Sequence, residues 1–301
     1  DSRKDDSVTS YSSRGPTRSY SIDSYGLKHY DNLIKPDLVA PGNKIIAAQA
    51  VNNNLIKEYP SLQTFKYSTN NMKLMYLSGT SMSTPMVSGA ASLLFELNPK
   101  LTPNMIKMIL MYTAQPLAGY STLDQGTGQL NIAGSAALAK LVKGDVLLGL
   151  LGPTFGSSLL TQTAPAPQTT ISSFTFPWAQ GVILKHTTVT GKDIINKYQV
   201  SYGNGYVLGD GVNEGLVSQT LNYKMWTSNV AIGNYLMKSD STPMPGGLIL
   251  LGYVILLGDG FAMGDGFAMG DGYVMGDGFA MGDCFAMGDA CALGEGTAAM
   301  K

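Results

Sequence analysis

The segment Gly79-Thr80-Ser81-Met82-Ser83-Thr84-Pro85 is the part of this sequence best suited to chemistry. A hydroxyl nucleophile needs a substrate to come close, and a glycine just before the serine leaves room for that approach. An apolar-periodic run begins after Ser81, which predicts a helix start there. Helix N-terminal amides point outward and favour developing negative charge. The chemistry that suits this arrangement is acyl transfer through a serine. Ser81 is the candidate nucleophile, and Gly79, Thr80 and Met82 make the turn around it. Met82, Met86 and Ala90 are expected to face inward and hold that turn rigid.

A serine needs an adjacent base, itself oriented by a third group. The sequence has two histidines, His29 and His186. Neither lies in a motif that marks a base, and both read as surface or structural residues. Asp5 and Asp6 read as a solvated loop, and Asn52 to Asn54 as a loop as well. The two cysteines, Cys284 and Cys291, sit far downstream and form neither a disulfide nor a zinc framework. No metal site is expected.

Around Ser81 the pattern alternates short strands and helices. Ser7 to Ser12, Asp37 to Ala40, Ile45 to Ala50 and Lys73 to Leu77 read as strands. Apolar residues at Met86, Val87, Ala90, Ala91, Leu93, Leu94 and Leu97 predict a helix that ends at Asn98-Pro99. Thr102 and Pro103 are an N-cap and a first helical residue, with Pro116 closing that helix. Asn131 caps a third helix, expected from Ile132 to about Val142. Residues 144–173, rich in Gly, Pro, Ser and Thr, read as a linker. Phe174 to Ser201 is β-like.

The chain has 301 residues and a formal net charge of −1. Residues 246–301 contain seven acids and one lysine, so they carry −6 and the rest of the chain carries +5. No basic stripe is present, which argues against a nucleic-acid partner. The longest apolar stretch, Leu248 to Leu257, is about half the roughly 20 residues that a membrane-spanning helix needs. From Gly252 a glycine recurs every sixth residue, in the unit Gly-Asp-Gly-Phe-Ala-Met. Three readings of this array stay open: a parallel β-helix, a calcium-binding array, or a stack of short strands and turns merging into low complexity. Bulky Phe261, Phe267, Phe279 and Phe285 weigh against the first, and the six-residue period weighs against the second.

Residues 79–89 (Gly-Thr-Ser-Met-Ser-Thr-Pro-Met-Val-Ser-Gly) resemble the active-site serine motif of the subtilisin-like serine proteases, the subtilases of peptidase family S8. Ser12-Ser13-Arg14-Gly15-Pro16 resembles the family's Ser-Ser-x-Gly-Pro element. Residues 35–42 (Lys-Pro-Asp-Leu-Val-Ala-Pro-Gly) resemble its Lys-Pro-Asp-Val-x-Ala-Pro-Gly element. Residues 98–114 and Gly126-Thr127-Gly128-Gln129-Leu130-Asn131 are similar to its closing helices and its Gly-x-Gly-x-x-Asn turn. These matches stand in the family's order over roughly residues 1–140. Met86 departs from the pattern, since many relatives have His there, and it is expected to be a buried helix position.

The resemblance implies an α/β fold, with an incomplete subtilase-type parallel sheet and flanking helices. A β-rich or partly disordered hexad extension would follow it. The domains expected are 1–143, the C-terminal part of the catalytic domain; 144–173, the linker; 174–245, the β-rich extension; and 246–301, the hexads. Ser81 is implied as the nucleophile of a serine endopeptidase acting on peptide or protein substrates. The family's Asp, His and oxyanion Asn motifs lie upstream of its Ser-Ser-x-Gly-Pro element, and none of them occurs here. A first residue that is not Met fits a fragment, expected to be inactive alone. The alternative is a non-catalytic surface or binding module whose working part is the tail, a candidate for cell-surface contact. A secreted or cell-surface bacterial-type location is implied. No cofactor is expected, although calcium occurs in the family.

Overall fold

In the computed structural model, which describes residues 3, 5–64, 73–143, 156–184, 187–199, 229, 231–233 and 239, helices begin where short polar side chains accept their first amides. Residues 40–90 make one compact unit, and the other described residues make a second.

The second unit opens with a hairpin, Tyr20–Ile22 (β1) against Lys28–Tyr30 (β2). Asp23 shapes its turn by accepting the Tyr25 and Leu27 amides at 2.8 and 2.9 Å.

Within residues 40–90, Ile45–Ala48 (β3) leads through Asn54–Glu58 (α1) to Gln63–Thr64 (β4) and Leu74–Leu77 (β5). Asn53, in the stretch expected as loop, caps α1 by accepting the Ile56 amide at 3.2 Å. The strands form a sheet in the order β3-β5-β4, with Ile45 opposite Leu77 and Gln63 opposite Met75. The chain then enters Thr80–Leu97 (α2).

The second unit resumes with Pro103–Tyr112 (α3), whose start is the predicted one: Thr102 Oγ1 accepts the Met105 amide at 3.2 Å. Met105, Ile106, Met108, Ile109, Leu110, Met111 and Tyr112 are all buried, so α3 is covered on every side. Thr122–Gln125 (α4) begins with a capping box between Ser121 and Asp124. Ile132–Ala139 (α5) is capped by Asn131, as expected, and packs on α3. Then come Gln168–Ile171 (β6), Phe174–Pro177 (β7), Gly181–Leu184 (β8), Thr187–Thr190 (β9), Asp193–Asn196 (α6) and Ala231–Gly233 (β10). β6 pairs with β7, and a second sheet has the order β10-β9-β8. Every residue of β8 is buried, and this strand also lies on α3. The Ala179 and Gln180 amides donate to the Ala114 and Tyr112 carbonyls at 2.8 and 2.9 Å, which fastens the entry to β8 onto the end of α3.

Mixed helices and small sheets fit the expected α/β class, but the parallel sheet needs correcting. Every ladder among the described strands is antiparallel. Parallel pairing there is confined to the isolated bridge between Val39 and Gln129. Parallel neighbours require long crossover connections, whereas β1–β2, β6–β7 and β8–β9 are joined by short returns that allow only antiparallel pairing. Residues 7–12, expected as a strand, turn instead: the Ser12 amide donates to the Thr9 carbonyl at 3.1 Å. The strand expected over residues 37–40 reduces to the Val39 bridge.

Part of the expected linker is also built into the fold. Leu159 and Leu160 are buried, and the Lys143 and Thr161 amides donate to the Leu159 and Leu141 carbonyls at 2.9 and 2.8 Å. An apolar pair inside a Gly/Pro/Ser/Thr stretch explains why composition alone misreads it. The hexads, Cys284 and Cys291 lie outside the described residues.

Candidate active site

The β3–β5 ladder does not stop at its last strand pair. Beyond Ile45 and Leu77 the Lys44 amide donates to Ser78 Oγ at 2.9 Å, and Ser78 Oγ donates to Asn43 Oδ1 at 2.9 Å. One residue further, the Gly79 amide donates to the Gly42 carbonyl at 2.9 Å. The last link is Ser83 Oγ, which donates to the Ala40 carbonyl at 2.9 Å. Strand pairing is thus carried by side-chain hydroxyls into the turn that presents Ser81.

Two glycines make this interlock feasible. A Cβ at Gly42 would collide with Ser83 Oγ and stand 2.7 Å from the Gly79 carbonyl oxygen. Gly79 has φ +156°, a backbone that L side chains rarely adopt. Its carbonyl accepts the Met82 and Ser83 amides at 3.0 and 3.3 Å, which closes the first turn of α2.

Ser81 is exposed on that first turn. Its amide is too early in the helix to find an intrahelical acceptor, so the N–H belongs to the outward-pointing set at a helix start. Downstream, Pro85 lies inside α2. It has no N–H to give to the carbonyl four residues back, which is that of Ser81. The Ser81 peptide group therefore lacks the usual four-residue helical hydrogen bond on both sides. Among the described residues, Ser81 Oγ has no hydrogen-bond partner. A free hydroxyl beside an outward-pointing amide, that of Ser81, is an arrangement that can attack a carbonyl and stabilise the resulting oxyanion.

The structure brings Gly79, Thr80, Ser81 and Met82 together as one turn. Thr80 is exposed, and Met82 is half-buried with its sulfur toward Gly79. Ala90 is buried as expected. Met86 is not: it is 37% exposed, along with Leu93, Phe95 and Leu97. Periodicity marks an apolar face but says nothing about what covers it.

His29 is occupied elsewhere. It stands on β2 with Nε2 2.7 Å from Asp23 Oδ2. That hydrogen bond, aided by the Leu27 amide, holds the Asp23 carboxyl below its ordinary range. Asp5 and Asp6 lie before the first strand, and His186 is outside the described residues. Among the described residues, no cluster of His, Cys, Asp or Glu is arranged to hold a metal, and no helix is long and apolar enough to cross a membrane. Sequence reasoning missed Ser78, Ser83 and Gly42. The Ala-Pro-Gly turn at residues 40–42 was their one visible signal.

Residues 2–135 match the family model described as the subtilase family. This part of the chain is similar to the subtilisin-like serine proteases. The subtilase match takes in the Ala40–Gly42 turn, the Ser81 turn, α3 and the Asn131 cap. Among curated proteins, the chain is 40% identical over 109 residues to the serine protease AprX of Bacillus subtilis, covering 36% of this chain and 21% of that protein. It is 33% identical over 162 residues to the subtilisin-like protease SBT4.13 of Arabidopsis thaliana, covering 51% of this chain and 20% of that one. The chain thus spans about a fifth of the length of these subtilases. Among solved structures, fervidolysin of Fervidobacterium pennivorans, described as a keratinolytic enzyme related to subtilisin, is 24% identical over 36% of this chain and 16% of its own. The TM-score is 0.28.

Proposed function

We propose that this chain supplies the nucleophile of a subtilisin-like serine endopeptidase. One observation carries the reading: the Ser81 hydroxyl is exposed and unpartnered among the described residues, on the first turn of an 18-residue helix beside a glycine turn. In this reading Ser81 Oγ attacks the carbonyl of a peptide substrate and loses its proton to a base. The amine then leaves, and an acyl-enzyme remains until water releases the acid and regenerates Ser81. The Ser81 amide is the oxyanion donor that this chain offers.

The base, the carboxylate that orients it and the second oxyanion donor have no counterpart motif in this sequence. They belong, in this reading, to the parent enzyme. Removing the base normally removes most of the catalytic power, so this chain by itself is expected to be inactive. A secreted or cell-surface location follows from the family and is part of the same proposal.

A fluorophosphonate probe on the full-length parent tests the assignment. Labelling that disappears in Ser81→Ala supports it, and labelling independent of Ser81 overturns it. A fluorogenic peptide incubated with this chain alone tests the second half. Ser81-dependent turnover there would refute the need for groups supplied by the parent.

A further inference from the structure

Three hydroxyls near the start of α2 behave differently. Thr84 Oγ1 donates to the Thr80 carbonyl at 3.1 Å, and Ser88 Oγ donates to the Thr84 carbonyl at 3.2 Å. Both bonds run four residues back, which is the usual fate of a hydroxyl inside a helix. Ser83 departs from this. Its carbonyl four residues back is that of Gly79, already taken by the Met82 and Ser83 amides. Its hydroxyl instead reaches the Ala40 carbonyl, 43 residues away in sequence. Only the missing side chain of Gly42 leaves room for it there.

Residues two apart on a helix lie roughly 200° apart around its axis. Anchoring position 83 therefore turns position 81 to the opposite side. The Ser83 amide fixes the turn to Gly79, and its hydroxyl fixes the turn to Ala40, so the rotation of the first turn is set from both ends.

We propose that Ser83 is a positioning residue for Ser81: its hydrogen bond to the Ala40 carbonyl sets the orientation in which the nucleophile and its amide are presented. The inference rests on Ser81 being the nucleophile, and its test is built to stand apart from that reading. Ser81→Cys in the present chain places a thiol at the position. Alkylation with iodoacetamide across a pH series, resolved by peptide mass spectrometry from Cys284 and Cys291, gives that thiol's pKa. A helix N-terminus lowers it below the free value of about 8.5. The only charged residue of α2 is Glu96, near its far end, and the adjoining turn carries Lys44.

Adding Ser83→Ala is expected to raise the thiol pKa by roughly 0.5 unit as the first turn loses its alignment. Ser83→Thr keeps the hydroxyl and is expected to restore the lower value. Thr84→Ala is expected to leave it unchanged. An unchanged pKa in folded Ser83→Ala, or a Ser83→Thr variant shifted as far as the alanine, overturns the proposal. If Ser83→Ala does not fold, Gly42→Ala decides, because its methyl displaces the same hydroxyl: a raised pKa supports the proposal and an unchanged one overturns it. None of these measurements needs peptidase activity, so they stand even if the parent cleaves nothing. In an active parent, Ser83→Ala is expected to lower kcat roughly tenfold with KM unchanged.

Discussion

The Ser83 hydroxyl fills the space in which a Gly42 side chain would stand. Gly42→Ala must therefore push one turn away from the other, and the Gly79 carbonyl behind the hydroxyl is backbone, which yields poorly. Overpacking of this kind costs about 1–3 kcal/mol. Urea unfolding is expected to show a loss of that size, together with faster hydrogen exchange at the Gly79 amide, which donates to Gly42. Wild-type exchange at Gly79 would show that the two turns are not interlocked.

Asn131 is buried and uses both ends of its side chain. Its oxygen accepts the Gly134 amide at 3.1 Å, and its nitrogen donates to the Thr113 carbonyl and to Thr169 Oγ1, each at 2.9 Å. Asn131→Asp keeps the cap and loses the donor, whereas Asn131→Ala loses both. Caps contribute about 1 kcal/mol, and a buried group left unpaired costs about 1–3 kcal/mol. Alanine is expected to destabilise by about 2–4 kcal/mol in denaturant titration. A loss under about 1 kcal/mol would mean that water replaces these bonds.

Tyr112 at the end of α3 supplies a pH signature. Burial pushes its phenol up to about 12 from an ordinary value of 10.0. Its folded pKa lies above its unfolded one, so between those values the native state holds the proton more tightly. The stabilisation is complete below pH 10 and is lost as pH rises toward 12, amounting to up to about 2–3 kcal/mol. Tyr112→Phe is expected to flatten that part of the stability curve. An alkaline limb identical in both proteins would place the ring in contact with water.

Leu93 and Phe95 are 49% and 40% exposed on α2. Replacing either with Glu is expected to change stability by less than about 0.5 kcal/mol. The same changes are expected to weaken binding of an apolar dye, because exposed apolar patches attract such probes. A loss of several kcal/mol in Leu93→Glu would mean that this face is covered.

Local chemistry was the legible part of the sequence. Thr102 and Asn131 signal their helices because a cap and its amides lie within four residues of each other, and the same nearness marks Ser81 as the start of α2. The Ser83–Ala40 bond was not legible, because it joins residues far apart and either partner looks ordinary alone. Strand direction was hidden for a related reason: the segment Leu74 to Leu77 reads the same whether its neighbour runs parallel or antiparallel. Met86 fails differently, because a periodic pattern gives an apolar face without its cover. His29, read as a surface or structural histidine, is held by Asp23, a partner that the sequence does not name.

The bonds from Asn131 to Thr169, and from residues 179 and 180 to the end of α3, bear on how this gene can be rearranged. The family match ends at residue 135, yet α3 leans on strands that come after it. A recombination event that joined the matched part to foreign sequence near residue 143 would strip β8 from α3 and bare its apolar surface to solvent. The transferable unit of inheritance is therefore longer than the stretch by which the family is recognised. For expression work, a chain that stops before the end of β8 is expected to lose the strand that lies on α3.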